Sequence, residues 1–249
     1  MRPIITLLTD FGTADGYVAE IKGVLYSLLT DPRVVDLSHE IPAHDIELAR
    51  LTVARYWRRF PPGTIHLVVV DPGVGSSRAA LAASSDERFL VGPDNGVLSP
   101  ALLQADAVTV TLPIPASASR TFHGRDVFAP AAAALASGAP LAALGTAHDT
   151  PIIRRTPEAV RREDGAVIGE VLSVDRFGNA ITNLVGVRSG VVAAAGRPLP
   201  VRGAYADVAS GAPLALIGSS GLLEIAIRDG SAAAVLGLAR GATVVWYRA

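Results

Sequence analysis

Apolar residues follow two rhythms along this chain, and the change falls near residue 150. In the first part, short unbroken apolar runs alternate with stretches at helical spacing. IITLLTD (4–10), RVVDLS (33–38), TIHLVVVD (64–71), RFLVGPDNG (88–96) and AVTVTL (107–112) read as strands, the most apolar of them as buried ones. Between them, residues 15–29 place Val18, Ile21, Leu25 and Leu28 at helical intervals. Residues 45–60 place Ile46, Ala49, Val53, Tyr56 and Phe60 on one helical face, with Asp45 as the N-cap. RDVFAPAAAALASG (125–138) predicts another helix, broken near its start by Pro130. Strand–helix alternation of this kind predicts an α/β domain with a mostly parallel sheet over residues 1–150.

Beyond that point the pattern shortens. Residues 151–165 are rich in Pro and charge and read as a linker. From 166 to 249 come short β-prone runs separated by turn residues: AVIGEVLSVD, NAITNLV, GVVAAAG, PLALIG, LLEIAI and ATVVWYR. They predict a small antiparallel barrel or sandwich. There is no internal repeat.

Composition narrows the function classes. A chain of 249 residues, half of them hydrophobic, is long enough for one large domain or two modest ones with a real core. The net charge of −1 provides no basic field for extended nucleic-acid binding. No run of about 18 apolar residues predicts a membrane span. MRPIITLLTD reaches Asp10 too early for a secretory leader, and a soluble cytoplasmic protein is the expectation. The absence of Cys removes disulfides, thiolate metal sites and a thiol nucleophile. His39, His66 and His148 have no mutual spacing suited to a metal, and no metal or cofactor is expected.

The chemistry concentrates where the predicted strands end. LTDFGTADGY (8–17), LSHEIPAHD (37–45), VVDPGVGSSR (69–78) and VGPDNG (91–96) all carry acidic or amide side chains there. In parallel α/β sheets, ligands sit at the carboxyl ends of strands. DPGVGSSR superficially suggests a phosphate loop, but it lacks the Lys of a Walker loop and has Arg78 where a dinucleotide fingerprint has its third Gly. An ordinary strand exit, with Asp71 capping and Arg78 solvated, is the competing structural reading. TFHGRDVFAP (121–130) adds His123, Arg125 and Asp126 just before a predicted helix.

Taken in order, TDFGTADGYV, DPGVGSSR, GPDNG, FHGRDVFAP, DRFGNAITN and GSSGLLEIA resemble the S-adenosyl-L-methionine hydroxide adenosyltransferases, relatives of the bacterial fluorinase and chlorinase. The resemblance spans almost the whole chain. It implies an N-terminal α/β domain joined to a small C-terminal antiparallel β-barrel. It also implies hydrolysis of S-adenosyl-L-methionine to adenosine and methionine. The expected assembly is a homotrimer, with sites between the N-terminal domain of one subunit and the C-terminal domain of the next.

The resemblance assigns Asp71, Arg78 and His123 to the attacking water. Halogenases lack the acid and carry an aromatic residue at the His position, so this chain follows the hydrolase pattern, and it also lacks the fluorinase insertion. Asp10 matches the residue that holds the ribose hydroxyls, and Phe122 an aromatic wall. Asp15 and Asp175 match positions that bind the methionine portion. Phe177 and Asn179 match adenine contacts. Ser219 and Ser220 are the polar positions before Gly221, Glu224 is a candidate acceptor for the ammonium, and Ile227 falls near a main-chain contact to adenine. Plainer structural roles compete for several of these: an N-cap for Asp15, a strand-end cap for Asp10, and the solvent face of an alternating strand for Glu224. Tyr17 and His44 depart from the fluorinase, which has Ser and Trp there. Asn95 is expected to support the site through turn hydrogen bonds.

The residue types suit the reaction. A sulfonium leaves as a neutral thioether, so no general acid is required at sulfur. Water has a pKa of about 15.7, and lowering that to about 9 would take roughly 9 kcal/mol. The proton is therefore expected to leave as the new C–O bond forms, accepted by Asp71 or His123, while Arg78 offsets the developing charge. Halide alkylation and a non-catalytic adenosyl-ligand sensor are the alternatives.

Overall fold

The computed structural model describes residues 3–248, so the Met1–Arg2 start of the N-terminal stretch lies outside the described residues. The chain forms two compact units that divide between Arg155 and Thr156.

The first unit contains β1 (Ile4–Thr9), α1 (Tyr17–Leu28), β2 (Arg33–Ser38), α2 (Ile46–Tyr56), β3 (Ile65–Val69), β4 (Ala80–Ser85), β5 (Arg88–Pro93), α3 (Ser99–Leu102), β6 (Val108–Leu112), α4 (Ala129–Ala136) and β7 (Thr146–Ala147). Among the described residues these strands make a seven-stranded sheet in the order β2-β1-β3-β5-β4-β6-β7. Pairing is parallel through β2, β1, β3 and β5 and antiparallel across β4, β6 and β7. Alternate strand residues feed two cores. Ile5, Leu7, Leu67 and Val69 pack with Ile21, Leu25, Phe128 and Ala132 on the α1/α4 side. Leu8, Val68 and Val70 pack with Ala49, Val53, Trp57 and Ala101 on the α2/α3 side. Burial on both faces explains the unbroken apolar runs of β1 and β3.

Several element boundaries differ from the sequence reading. Helix α1 starts at Tyr17 behind Gly16, whose φ of 80° sets the entry, so Asp15 is not its N-cap. Ile21 and Leu25 face the core, but Leu28 is exposed, because a packed face this short ends before the last turn. Asp45 caps α2 as expected, accepting from Leu48 N at 2.9 Å, and the helix tightens to a 3-10 turn at Trp57–Arg59. Residues after Arg78 enter strand β4, not a helix, which removes the dinucleotide-loop reading. The helix expected over 125–138 is a π-helical turn at Gly124–Phe128 followed by α4, with Pro130 in the first turn of α4.

The second unit contains β8 (Val160–Arg161), β9 (Val167–Val174), β10 (Ala180–Val185), β11 (Val191–Ala194), β12 (Arg197–Pro200), β13 (Pro213–Ile217), β14 (Leu222–Ile227), α5 (Ala232–Leu236) and β15 (Thr243–Tyr247). The antiparallel path runs β12-β11-β15-β9-β10-β14-β13, with β8 beside β9. A parallel bridge from Val201 to Ala215, with Arg202 N bonded to Ala215 O at 2.8 Å, brings the two ends of the path together into a nearly closed barrel. Val171, Leu184, Val192, Leu223, Ile225 and Val244 fill its core. Among the described residues, no helix is long and apolar enough to cross a membrane.

Candidate active site

In the first unit, β1, β3 and β5 end side by side, and their exits carry Asp10, Asp71 and the Asp94–Asn95 turn. Arg78 lies at the other end of the loop that leaves β3, just before β4. Its guanidinium folds back on Asp71: Nε donates to Oδ1 at 2.8 Å, and Nη2 donates to Oδ2. The two side chains are only 9% and 6% exposed, which replaces the solvated-Arg reading with a largely buried ion pair. Nη2 also lies 3.0 Å from Nδ1 of His123. An arginine nitrogen can only donate, so the imidazole accepts at Nδ1 and carries its hydrogen on Nε2. Desolvation, followed by the charge of Arg78, holds the His123 pKa below the ordinary imidazole value. The ring is therefore neutral near pH 7 and presents an N–H donor.

Arg78 Nη1 donates to Ala79 O at 3.2 Å, and the guanidinium carbon sits 5.3 Å from the Phe128 ring centroid. Four of the five guanidinium N–H groups thus have partners. His123 heads the π-helical turn, the kind of helical irregularity that recurs at functional sites. Each Asp71 oxygen still has a lone pair available. A carboxylate acceptor and an imidazole donor, both fixed by one guanidinium, can hold a water molecule between them.

Asp10 accepts from the backbone N–H of His44 at 2.8 Å through Oδ2, which leaves Oδ1 open; His44 is exposed, with φ 68°. Asp10 therefore organises the 42–45 turn and does not cap α1. Asp15 is exposed. Phe122 packs edge-on against Phe11 at 5.8 Å and Tyr17 at 5.4 Å, forming an aromatic cluster next to His123. Phe11 has no signal in the sequence pattern, since a lone aromatic after a strand carries no periodicity.

The second unit groups its candidates at both ends of β14. At one end, the β9–β10 turn is built around Asp175. Its Oδ1 accepts from Phe177 N at 2.9 Å and Asn179 N at 2.8 Å, and its Oδ2 accepts from Asn179 Nδ2 at 3.0 Å. Phe177 is 77% exposed on this turn, whereas Asn179 is buried. Ile227 is at the same end, since Ala180 pairs with Ile225 and the carbonyl of Ile227 accepts from Gly230 N. At the other end, Ser219 and Ser220 are exposed in the turn before Gly221, and β14 itself runs five strand steps, about 17 Å, from Leu222 to Ile227. Glu224 lies between them. It is 7% exposed, so the solvent-face reading fails: its carboxylate covers Gly218 and accepts from the Tyr205 hydroxyl at 3.0 Å. Burial, followed by the Glu224 and Asp175 charges, raises the Tyr205 pKa to about 12. Tyr205 was not legible in the sequence, because GAYADV carries no motif. Among the described residues, no three His, Asp or Glu side chains group as a metal ion would need.

A strand-end carboxylate, guanidinium and neutral imidazole on an α/β sheet are the equipment of an enzyme that directs an oxygen nucleophile. The chain belongs to the S-adenosyl-L-methionine hydroxide adenosyltransferase family: residues 5–145 match the family's N-terminal domain and residues 169–245 its C-terminal domain. It is 43% identical to an (R)-S-adenosyl-L-methionine hydrolase from Thermus thermophilus, over 98% of this chain and 99% of the relative. A second hydrolase of that name, from Salinispora tropica, is 38% identical over 96% and 95%. A fluorinase from Actinopolyspora mzabensis is more distant at 30%, over 98% of this chain and 96% of the relative. The structure of an uncharacterised conserved protein from Thermotoga maritima superposes with a TM-score of 0.90 at 33% identity, covering 98% of this chain and all of the other.

Proposed function

We propose that the chain hydrolyses S-adenosyl-L-methionine to adenosine and L-methionine, with water attacking C5′ opposite sulfur. The observation that carries this reading is the Arg78 guanidinium, bonded at once to Asp71 and to Nδ1 of His123. In this arrangement the Nε2–H of His123 donates to the water oxygen and an Asp71 oxygen receives its proton. The O–C5′ bond forms as the C5′–S bond breaks, the electron pair stays on sulfur as a neutral thioether, and the proton passes from Asp71 to solvent. His123 is not the proton acceptor, since its Nδ1 lone pair is occupied by Arg78. Arg78 offsets the charge that develops on oxygen.

On the same reading, Asp10 holds the ribose hydroxyls, Phe122 walls the site, and Asp15 contacts the methionine portion. Phe177, Asn179 and the Ile227 main chain receive adenine, while Ser219, Ser220 and Glu224 receive the methionine end. Asp175 serves chiefly by building the adenine turn. Support comes from the placement of the 175–179 turn with Ile227 at one end of β14 and the Ser219–Ser220 turn at the other, suited to an elongated ligand. The family resemblance supports a homotrimer in which the two units of neighbouring copies complete each site, with S-adenosyl-L-methionine as substrate and no separate cofactor, and the Cys-free composition supports a cytoplasmic location.

The test is incubation of purified protein with S-adenosyl-L-methionine in ¹⁸O-labelled water, with and without chloride. Adenosine carrying the label, together with methionine, is expected. A chlorinated nucleoside would replace hydrolysis with halide alkylation, for which Asp71 is unsuited because it repels an anion. Unchanged substrate would leave only a binding function.

A further inference from the structure

The loop that carries Asp71 and Arg78 leaves the sheet from β3 and re-enters it as β4. Between those two strands, in the sheet order, lies β5. The loop therefore straddles the end of β5, and the Asp94–Asn95 turn sits beneath it. Both mouths of the loop are tied to that turn. Asn95 Nδ2 donates to Val70 O at 2.9 Å, one residue before Asp71. Asp94 N donates to Ala79 O at 2.9 Å, one residue after Arg78, and that same carbonyl accepts from Arg78 Nη1.

The turn is itself held rigid. Asn95 Oδ1 accepts from Val97 N at 3.1 Å, so its amide cannot rotate without losing two bonds. Asp94 is 7% exposed, and its carboxylate accepts from Ile152 N at 2.8 Å and His148 Nε2 at 3.2 Å. Arg154 closes over Gly96, its Nε donating to Asn95 O at 2.8 Å and its backbone N–H to Ser99 Oγ at 2.8 Å.

We propose that Asn95 is a positioning residue for hydrolysis, its side-chain amide gripping the Val70 carbonyl so that Asp71 meets Arg78 and Arg78 meets His123. Asn95 touches no reacting atom. It acts by fixing the strand end from which Asp71 projects, and the Asp94 backbone fixes the opposite mouth. The role deepens the hydrolase reading and rests on it for its kinetic consequence, but the geometric claim stands apart from the substrate.

The test uses Asn95→Asp and Asn95→Ala in the full-length protein. Asn95→Asp keeps the shape of the side chain while replacing the donating amide with a carboxylate oxygen that repels the Val70 carbonyl. Small displacements of reacting groups are costly in rate, so kcat is expected to fall about tenfold to a hundredfold while KM for S-adenosyl-L-methionine stays within about threefold. The second readout is the NMR titration of His123, which is faced by Arg78, Asp71 and Asp126. Its depressed pKa is expected to move towards the ordinary imidazole value when Arg78 withdraws. Unchanged kcat and an unchanged His123 titration in folded Asn95→Asp would overturn the proposal, as would a kcat loss that merely tracks the unfolded fraction. If Asn95→Ala does not fold, the isosteric variant decides alone. If the wild-type protein does not cleave the substrate, the hydrolase reading fails, and the His123 titration still decides whether Asn95 sets this geometry.

Discussion

Gly75 and Arg120 meet with no room between them: a Cβ on Gly75 would lie 2.3 Å from the Arg120 carbonyl oxygen. Gly75 also has φ +76°, a conformation that L side chains adopt at a cost. The contact seats the Asp71–Arg78 loop on the segment that leads into Phe122 and His123. Gly75→Ala is therefore expected to destabilise the fold by about 1–3 kcal/mol and to lower turnover by parting Arg78 from His123. Denaturant unfolding and steady-state kinetics on the same sample check both effects. An active variant of undiminished stability would show that the contact is dispensable.

The pH dependence of turnover follows from the tautomer. On the proposed mechanism cleavage uses neutral His123, whose pKa lies below the usual imidazole value because of burial and the facing Arg78. Activity is lost only as the pH falls through that depressed value, so the acidic limb of kcat/KM should lie below about pH 6.5. In Arg78→Met the charge is gone, and the His123 titration, followed by NMR, should move upward. An acidic limb above 6.5 in the wild-type protein would contradict the assignment.

Asp71 and Asp10 are expected to separate chemistry from binding. Asp71→Asn keeps the shape but removes the proposed proton acceptor, so kcat should fall by at least about a hundredfold with little change in KM. Asp10→Ala removes the proposed acceptor for the ribose hydroxyls and should raise KM, with a smaller effect on kcat. Both can be read from initial rates of adenosine formation. Full activity in Asp71→Asn would remove the water-activation argument.

His66 predicts a pH-dependent stability that is unrelated to the site. It is fully buried on β3, its Nδ1 lies 2.8 Å from Thr6 Oγ1, and desolvation lowers its pKa to about 4. Between about pH 4 and 6.5 the unfolded chain binds a proton there that the folded chain does not. Stability therefore rises with pH across that window, by about 1.4 kcal/mol per unit from this group, and the gain is complete above 6.5. Urea unfolding from pH 4 to 7 should show this slope, and His66→Gln should flatten it.

Much of the architecture was legible because burial writes itself into periodicity. β1 and β3 are covered on both faces and read as continuous apolar runs, and Asp45 announced α2 by its capping chemistry. β4 was harder to read: ALAASS is short and rich in Ala, and only pairing with β5 and β6 on both sides makes it a strand. The π-helical turn at 124–128 has no periodicity of its own and was absorbed into a longer predicted helix. The convergence of Asp71, Arg78 and His123 was legible as a set of motifs. The orientation that makes His123 an Nε2–H donor was not, since it depends on which ring nitrogen meets Arg78. Glu224 illustrates the limit of alternation: its outward register is real, but Tyr205 and Gly218 cover it.

The near-closure of the C-terminal barrel limits how copies of this chain can adhere to one another. Pro198 and Pro200 punctuate one terminal strand and Pro213 begins the other, and the Val201–Ala215 bridge occupies much of what remains between them. Proline offers no main-chain hydrogen to an incoming strand, so these two edges make poor templates for cross-molecular β-addition. Contacts between copies along these edges are left to side chains rather than to main-chain pairing.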